Sequence, residues 1–128
     1  MNKNIYVFSL LVLCSCIRPE KNILISPSKH YRLRFDINES HRDAQKYKCI
    51  IIKLYNSSEK LLDTFQTAAS DYSKWAIGWH VLNDTILLRS KDVGDYAYKV
   101  SNSRALEKIH LSADLKESAD SIFNKKYK

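Results

Sequence analysis

"SKWAIGWHVLNDTILLRSKDVGDYAYKV", residues 73–100, decides the fold. Trp75, Ile77, Trp79 and Val81 alternate with Lys74, Ala76, Gly78 and His80, the period of two that gives a strand one buried face. Asn83-Asp84 then separates two β-rich runs, and both residue types tolerate the positive φ of a tight hairpin turn. The return run is "TILLRS", residues 85–90. Gly94 marks a second turn, after which Tyr96, Tyr98 and Val100 fall on one face of a third run. Three consecutive strands joined by short turns make a β-meander over about residues 73–101.

The same grammar extends upstream. In "HYRLRFDI", Tyr31, Leu33, Phe35 and Ile37 alternate with His30, Arg32, Arg34 and Asp36. "KYKCIIIKLY", residues 46–55, is rich in β-branched and aromatic residues, and its unbroken run Cys49 to Ile52 suggests a central strand covered on both faces. Residues 60–72 read two ways. Leu61, Leu62, Phe65, Ala68, Ala69 and Tyr72 fit a helical stripe, with Asn56 and Glu59 spaced as a capping box. Leu61, Asp63 and Phe65 also fit a strand folded back through "NSSE", and the surrounding strands favour that reading. Downstream, Ile109 and Leu111 suggest a last short strand. Ser112 then stands as a cap before Leu115, Ala119, Ile122 and Phe123, which recur on one helical face. Lys125 and Lys126 suit the negative end of that helix. The expected architecture is mainly β: a single antiparallel sheet or small sandwich with a C-terminal helix.

The N-terminus reads differently. Lys3 precedes nine residues, Ile5 to Leu13, interrupted only by Ser9, far short of the roughly 20 needed for a spanning helix. A basic start, a short apolar core and small residues after it form the pattern of a secretory signal peptide. Leu13-Cys14-Ser15-Cys16 resembles the bacterial lipobox: an aliphatic residue, two small ones, then the lipidated cysteine. That resemblance implies a lipoprotein signal peptide over residues 1–15, a lipidated tether over 16–29 and one β-rich domain over 30–128. Cys16 would carry diacylglycerol and often an amide-linked acyl chain such as palmitate, together enough for stable anchoring. Cys14 is the poorer candidate because bulky Leu13 precedes it. Ile17 is not the Asp that commonly retains lipoproteins in the inner membrane, so in a Gram-negative cell the resemblance points to the outer membrane.

Removing residues 1–15 loses one charge, Lys3, and leaves 20 Lys and Arg against 14 Asp and Glu, a formal +6. An exported, tethered protein meets little nucleic acid, so no nucleic-acid partner is expected. Its anionic neighbours would be phospholipid head groups, lipopolysaccharide or acidic wall polymers. Eight Tyr, four Phe and two Trp argue against disorder. With Cys16 alkylated, Cys49 has no internal disulfide partner and reads as a buried thiol.

Signatures of catalysis are scarce. The chain lacks a G-x-S-x-G elbow, a phosphate-cradling glycine loop and an H-E-x-x-H motif, and it holds only Gly78 and Gly94. His30, His41, His80 and His110 lie 11 to 39 residues apart with no metal-ligand spacing, so neither a metal nor a cofactor is expected. Asp84, Asp92 and Asp95 sit in the turns of the meander, where acid–base work and ordinary turn bonding are both open to them. Trp75, Trp79, Tyr96 and Tyr98 are the candidate binding surface. On an exposed face they would form a platform for sugar rings or a protein; their alternation with Ile77 and Val81 equally suits a hydrophobic core. The tryptophans, the "NDT" turn and the "DVG" turn loosely resemble small β-rich bacterial lipoproteins of unknown function. The leading expectation is a membrane-anchored, non-catalytic envelope lipoprotein that binds an envelope protein or glycan. An immunity-type lipoprotein sequestering an antibacterial toxin is the alternative, and a wall or glycan hydrolase ranks third.

Overall fold

The computed structural model describes residues 23–128, so the signal-peptide and lipidation expectations, including Cys14 and Cys16, lie outside the described residues. Eight strands come first: β1 (Ile23–Ile25), β2 (Tyr31–Ile37), β3 (Cys49–Asn56), β4 (Leu61–Ser70), β5 (Trp75–Trp79), β6 (Thr85–Ser90), β7 (Gly94–Ser101) and β8 (Ala105–Ile109). One helix, α1 (Ala113–Lys126), closes the order. The strands form two antiparallel four-stranded sheets, β1-β2-β3-β4 and β5-β6-β7-β8, each a plain meander. Fold class is therefore mainly β, a small sandwich with a C-terminal helix.

The two sheets meet through one core. Leu33, Ile50, Ile52 and Leu54 of the first sheet, all fully buried, pack with Trp75, Ile77, Trp79, Ile86, Leu88, Tyr98 and Leu106 of the second. Phe35 meets Trp75 edge-on at 5.0 Å, and Phe65 tilts against Tyr98 at 4.9 Å. Both lateral edges are stitched by hydrogen bonds. The Trp79 indole N–H donates to the Leu24 carbonyl (3.0 Å), and the Leu106 N–H donates to Asp63 Oδ2 (2.7 Å). The second stitch occupies an edge-strand donor that would otherwise invite another chain.

α1 lies on the outer face of the second sheet, where Leu115, Ala119 and Ile122 pack with Leu87 and Ala97. Ser112 caps it, its hydroxyl accepting from the Leu115 N–H at 3.3 Å. The second sheet is thus covered on both sides, and this relocates the central strand. Every residue of β5 is buried, as are Thr85 to Leu88 of β6. β3, expected to be covered twice, is covered once: Ile50, Ile52 and Leu54 face the core while Ile51 and Lys53 stay half exposed. Both sequences present a short apolar run, and only the helix decides which run is enclosed.

One open reading is decided and two boundaries differ from expectation. Of the two readings of residues 60–72 the favoured strand is the one formed, as β4 (Leu61–Ser70). Asn56 Oδ1 accepts from the N–H groups of Ser58 and Lys60, closing a turn rather than capping a helix. The tether expected over residues 16–29 ends early, because Ile23–Ile25 pair with β2 and Ser26 to Lys29 form the hairpin turn between them. Pairing Leu24 opposite Leu33 brings an apolar side chain to the core, which outweighs the turn-like look of "SPSK". Finally, β5 stops at Trp79. The loop His80–Asp84 is closed by His80 N–H to Thr85 O (2.8 Å), so Val81 leaves the alternation.

Candidate functional site

The four aromatic candidates divide between core and rim. Trp75, Trp79 and Tyr98 belong to the inter-sheet core, and Tyr96 packs partly buried against it with Lys108 over its ring at 4.4 Å. The exposed platform is therefore replaced by packing. Burial pushes the Tyr98 hydroxyl up to about 12. Trp75 donates its indole N–H to Asp71 (2.9 Å) and takes Lys126 against its face at 3.6 Å.

The turn aspartates are bonded to the scaffold. Asp84 accepts from the Ser28 N–H and hydroxyl, tying the β1–β2 turn to the β5–β6 loop. Asp92 accepts from the Ser70 N–H (3.1 Å) and from the Ser90 hydroxyl. Asp95 holds Arg89 through two hydrogen bonds of 2.9 and 2.8 Å, and Arg89 also pairs with Asp120 of α1. The Asp95 bond raises the Arg89 pKa further, fixing its charge. These three carboxylates thus stand apart, each serving a different turn or strand.

The histidines stay scattered as well: His41 stacks on Tyr47 at 4.2 Å, and His80 Nδ1 lies 2.7 Å from Ser118 Oγ. Among the described residues no group of three His, Cys, Asp or Glu side chains is placed to hold a metal ion. Cys49 is buried, its thiol pushed up by desolvation.

What the sequence reading missed is a groove at the start of α1. His80, Val81 and Leu82 form one wall, and Asp114, Glu117, Ser118 and Ser121 of the helix form the other, around an open volume of about 460 Å³. Val81 is 77% exposed and Leu82 83%. The buried His80 ring anchors this apolar tip to α1 through Ser118, and Asp84 anchors its far side through Ser28. Two aliphatic side chains are thus held in solvent on a loop pinned at both ends, beside two helix carboxylates. A hydroxyl–imidazole pair also lies here, but no described hydrogen bond brings a carboxylate to the other ring nitrogen, the third member that a nucleophilic triad uses.

The signal for this site was faint. Val81-Leu82 read as the end of a strand, and Ser118 lies 38 residues from His80. Only the strand register, with Trp79 opposite Ile86, expels the pair from the sheet. No helix among the described residues is long and apolar enough to cross a membrane. No family model matches this chain, and no curated protein or solved structure is similar enough to carry an argument.

Proposed function

We propose that this protein is a non-catalytic envelope lipoprotein, tethered through lipid on Cys16, whose β-sandwich binds a protein through the Val81–Leu82 tip and the adjoining start of α1. The observation that carries this reading is the pinned apolar tip: two adjacent aliphatic side chains, Val81 and Leu82, are held in solvent on a loop tied down at both ends, which leaves their apolar area available to a partner. The groove beside it supplies Asp114 and Glu117, so the fitting partner has an apolar pocket with basic residues at its rim. A glycan is the poorer fit, because Trp75, Trp79 and Tyr98, the rings that would stack on sugars, are spent on the core. The narrower reading as an immunity-type inhibitor fits the same surface, with a toxin as the partner and the lipid holding the inhibitor at its point of entry. A hydrolase based on Asp84, Asp92 and Asp95 is disfavoured by their separate structural duties.

The test combines anchor and surface. Metabolic lipid labelling is expected on the wild-type chain and on Cys14→Ala, and to vanish with Cys16→Ala. Leu82→Asp is expected to abolish co-purification of the partner while leaving the melting temperature within about 2 °C, as for a surface change. Labelling that depends on Cys14, or partner capture indifferent to Leu82→Asp, would overturn the corresponding half of the proposal.

A further inference from the structure

The two ends of the sandwich carry different charge. At one end meet the β2–β3 loop (residues 38–48), the β4–β5 link (71–74), the β6–β7 turn (91–93) and the last residues of the chain (124–128). Hydrogen bonds from Asp71 N–H to Lys48 O, Lys91 N–H to Lys74 O and Trp75 N–H to the Tyr127 hydroxyl lace these segments together. Leaving out Lys125, which lines a cavity with Val81, they contain seven basic side chains, among them Lys46, Lys74, Lys91 and Lys126, against four acidic ones. The opposite end comprises the β1–β2 turn (26–30), the β3–β4 turn (56–60), the β5–β6 loop (80–84), the β7–β8 turn (102–104) and the start of α1 (112–117). It holds four basic and four acidic side chains. The first end is therefore +3 and the loops of the second sum to zero.

The four acids of the basic end are exposed, and each is engaged by a neighbouring donor. Asp71 accepts the Trp75 indole N–H, Asp92 the Ser70 N–H, Asp43 the Gln45 N–H, and Glu39 pairs with Lys48. Lys74 and Lys91 lie over the Tyr127 and Phe123 rings at 5.3 and 5.2 Å. Tyr72, 79% exposed, stands among them. Lysines beside exposed tyrosine are the composition that settles at a lipid–water interface.

The direction of the chain points the same way. Ile23 pairs with Arg34 and Ile25 with Arg32, so β1 enters the sheet from the basic end and runs towards the neutral one. Cys16 lies seven residues before Ile23, a span of at most about 25 Å. We infer that the basic end docks onto an anionic phospholipid leaflet, which orients the sandwich with the Val81–Leu82 tip facing away from the membrane. The inference rests on the Cys16 tether of the proposed function. The tether brings the domain within reach, and the charge selects which end is held, since attraction to the leaflet acts only within a Debye length of about 8 Å at physiological salt.

The test is lysine acetylation footprinting of the full-length protein, purified as its host processes it and reconstituted in vesicles. Phosphatidylglycerol with phosphatidylcholine is compared with phosphatidylcholine alone. Expected is protection of Lys46, Lys74 and Lys91 on the anionic vesicles only, lost at raised salt, with Lys29, Lys60 and Lys116 reacting equally on both. Exchanging Lys74→Glu and Lys91→Glu, both at exposed positions, is expected to lower the docked-to-undocked ratio by at least about fivefold per lysine. The mass of the peptide bearing Cys16 reads the anchor separately. A lipidated chain labelled equally at both ends overturns the docking alone. An unlipidated Cys16 overturns the tether, and the docking with it.

Discussion

Removing the Trp79 side chain probes the joint between the sheets. The indole is 9% exposed, lies in the inter-sheet core, and donates to the Leu24 carbonyl across the β1–β5 edge. A buried tryptophan side chain removes roughly 200 Å² from water. At about 25 cal/mol per Å² that amounts to about 5 kcal/mol, of which alanine recovers a small part. Losing the hydrogen bond to the Leu24 carbonyl adds about 1 kcal/mol, which offsets what the alanine methyl recovers. Trp79→Ala is therefore expected to cost about 5 kcal/mol, the upper end of the usual span of aromatic truncations. Set against a typical domain stability of about 5–10 kcal/mol, this removes half or more. Trp79→Phe keeps most of the ring contact and is expected to cost about 1.5 kcal/mol. Urea unfolding followed by circular dichroism is the assay, with an unchanged slope m required for the comparison. A cost below about 1 kcal/mol for Trp79→Ala would refute the reasoning and return this residue to the surface.

Three other expectations follow from single contacts. A Cβ on Gly78 would lie 3.0 Å from Ile122 Cδ1 and 3.2 Å from its Cγ2, so Gly78→Ala is expected to lose about 1 kcal/mol. In the double variant with Ile122→Ala a similar amount should be recovered, as a thermodynamic cycle would read. Because burial raises the Tyr98 pKa above that of the unfolded chain, the protonated hydroxyl stabilises the fold fully below pH 10, and that contribution disappears as pH climbs towards 12. The loss is about 3 kcal/mol, and Tyr98→Phe should flatten the alkaline decline in melting temperature. Cys49, buried and with its thiol pKa raised by desolvation, is expected to react with a maleimide only as fast as the fold opens; rapid native labelling would contradict its placement.

Much of the scaffold was legible because it depends on local pattern. The alternation in β2, β5 and β7, the strand reading of residues 61–70 and the Ser112 cap all follow from short-range periodicity and hydrogen-bond chemistry. The layer count was not legible, since the apolar runs of β3 and β6 look alike and α1, arriving last, covers the sheet that holds β6 and leaves β3 uncovered on its outer face. β1 was hidden because three residues carry too little pattern to distinguish a strand from a tether. The sequence left open which side of the sheet Trp75, Trp79, Tyr96 and Tyr98 take, because only the other sheet decides it: Phe35 packs on Trp75 and Phe65 on Tyr98, turning those rings inward. The apolar tip depends on where β5 stops, a matter of register rather than composition. The charged end is assembled from four segments spread between residues 38 and 128, so no window along the chain contains it.

The most direct test of the account places a photo-crosslinking amino acid at position 82 of the full-length protein in its own host, with position 64 on the outer face of the first sheet as control. The account predicts one discrete crosslinked protein from position 82, absent from position 64 and lost with Cys16→Ala, whose crosslinked peptide lies in an apolar pocket flanked by Lys or Arg. No crosslinked protein from position 82, or the same species from both positions, would contradict it.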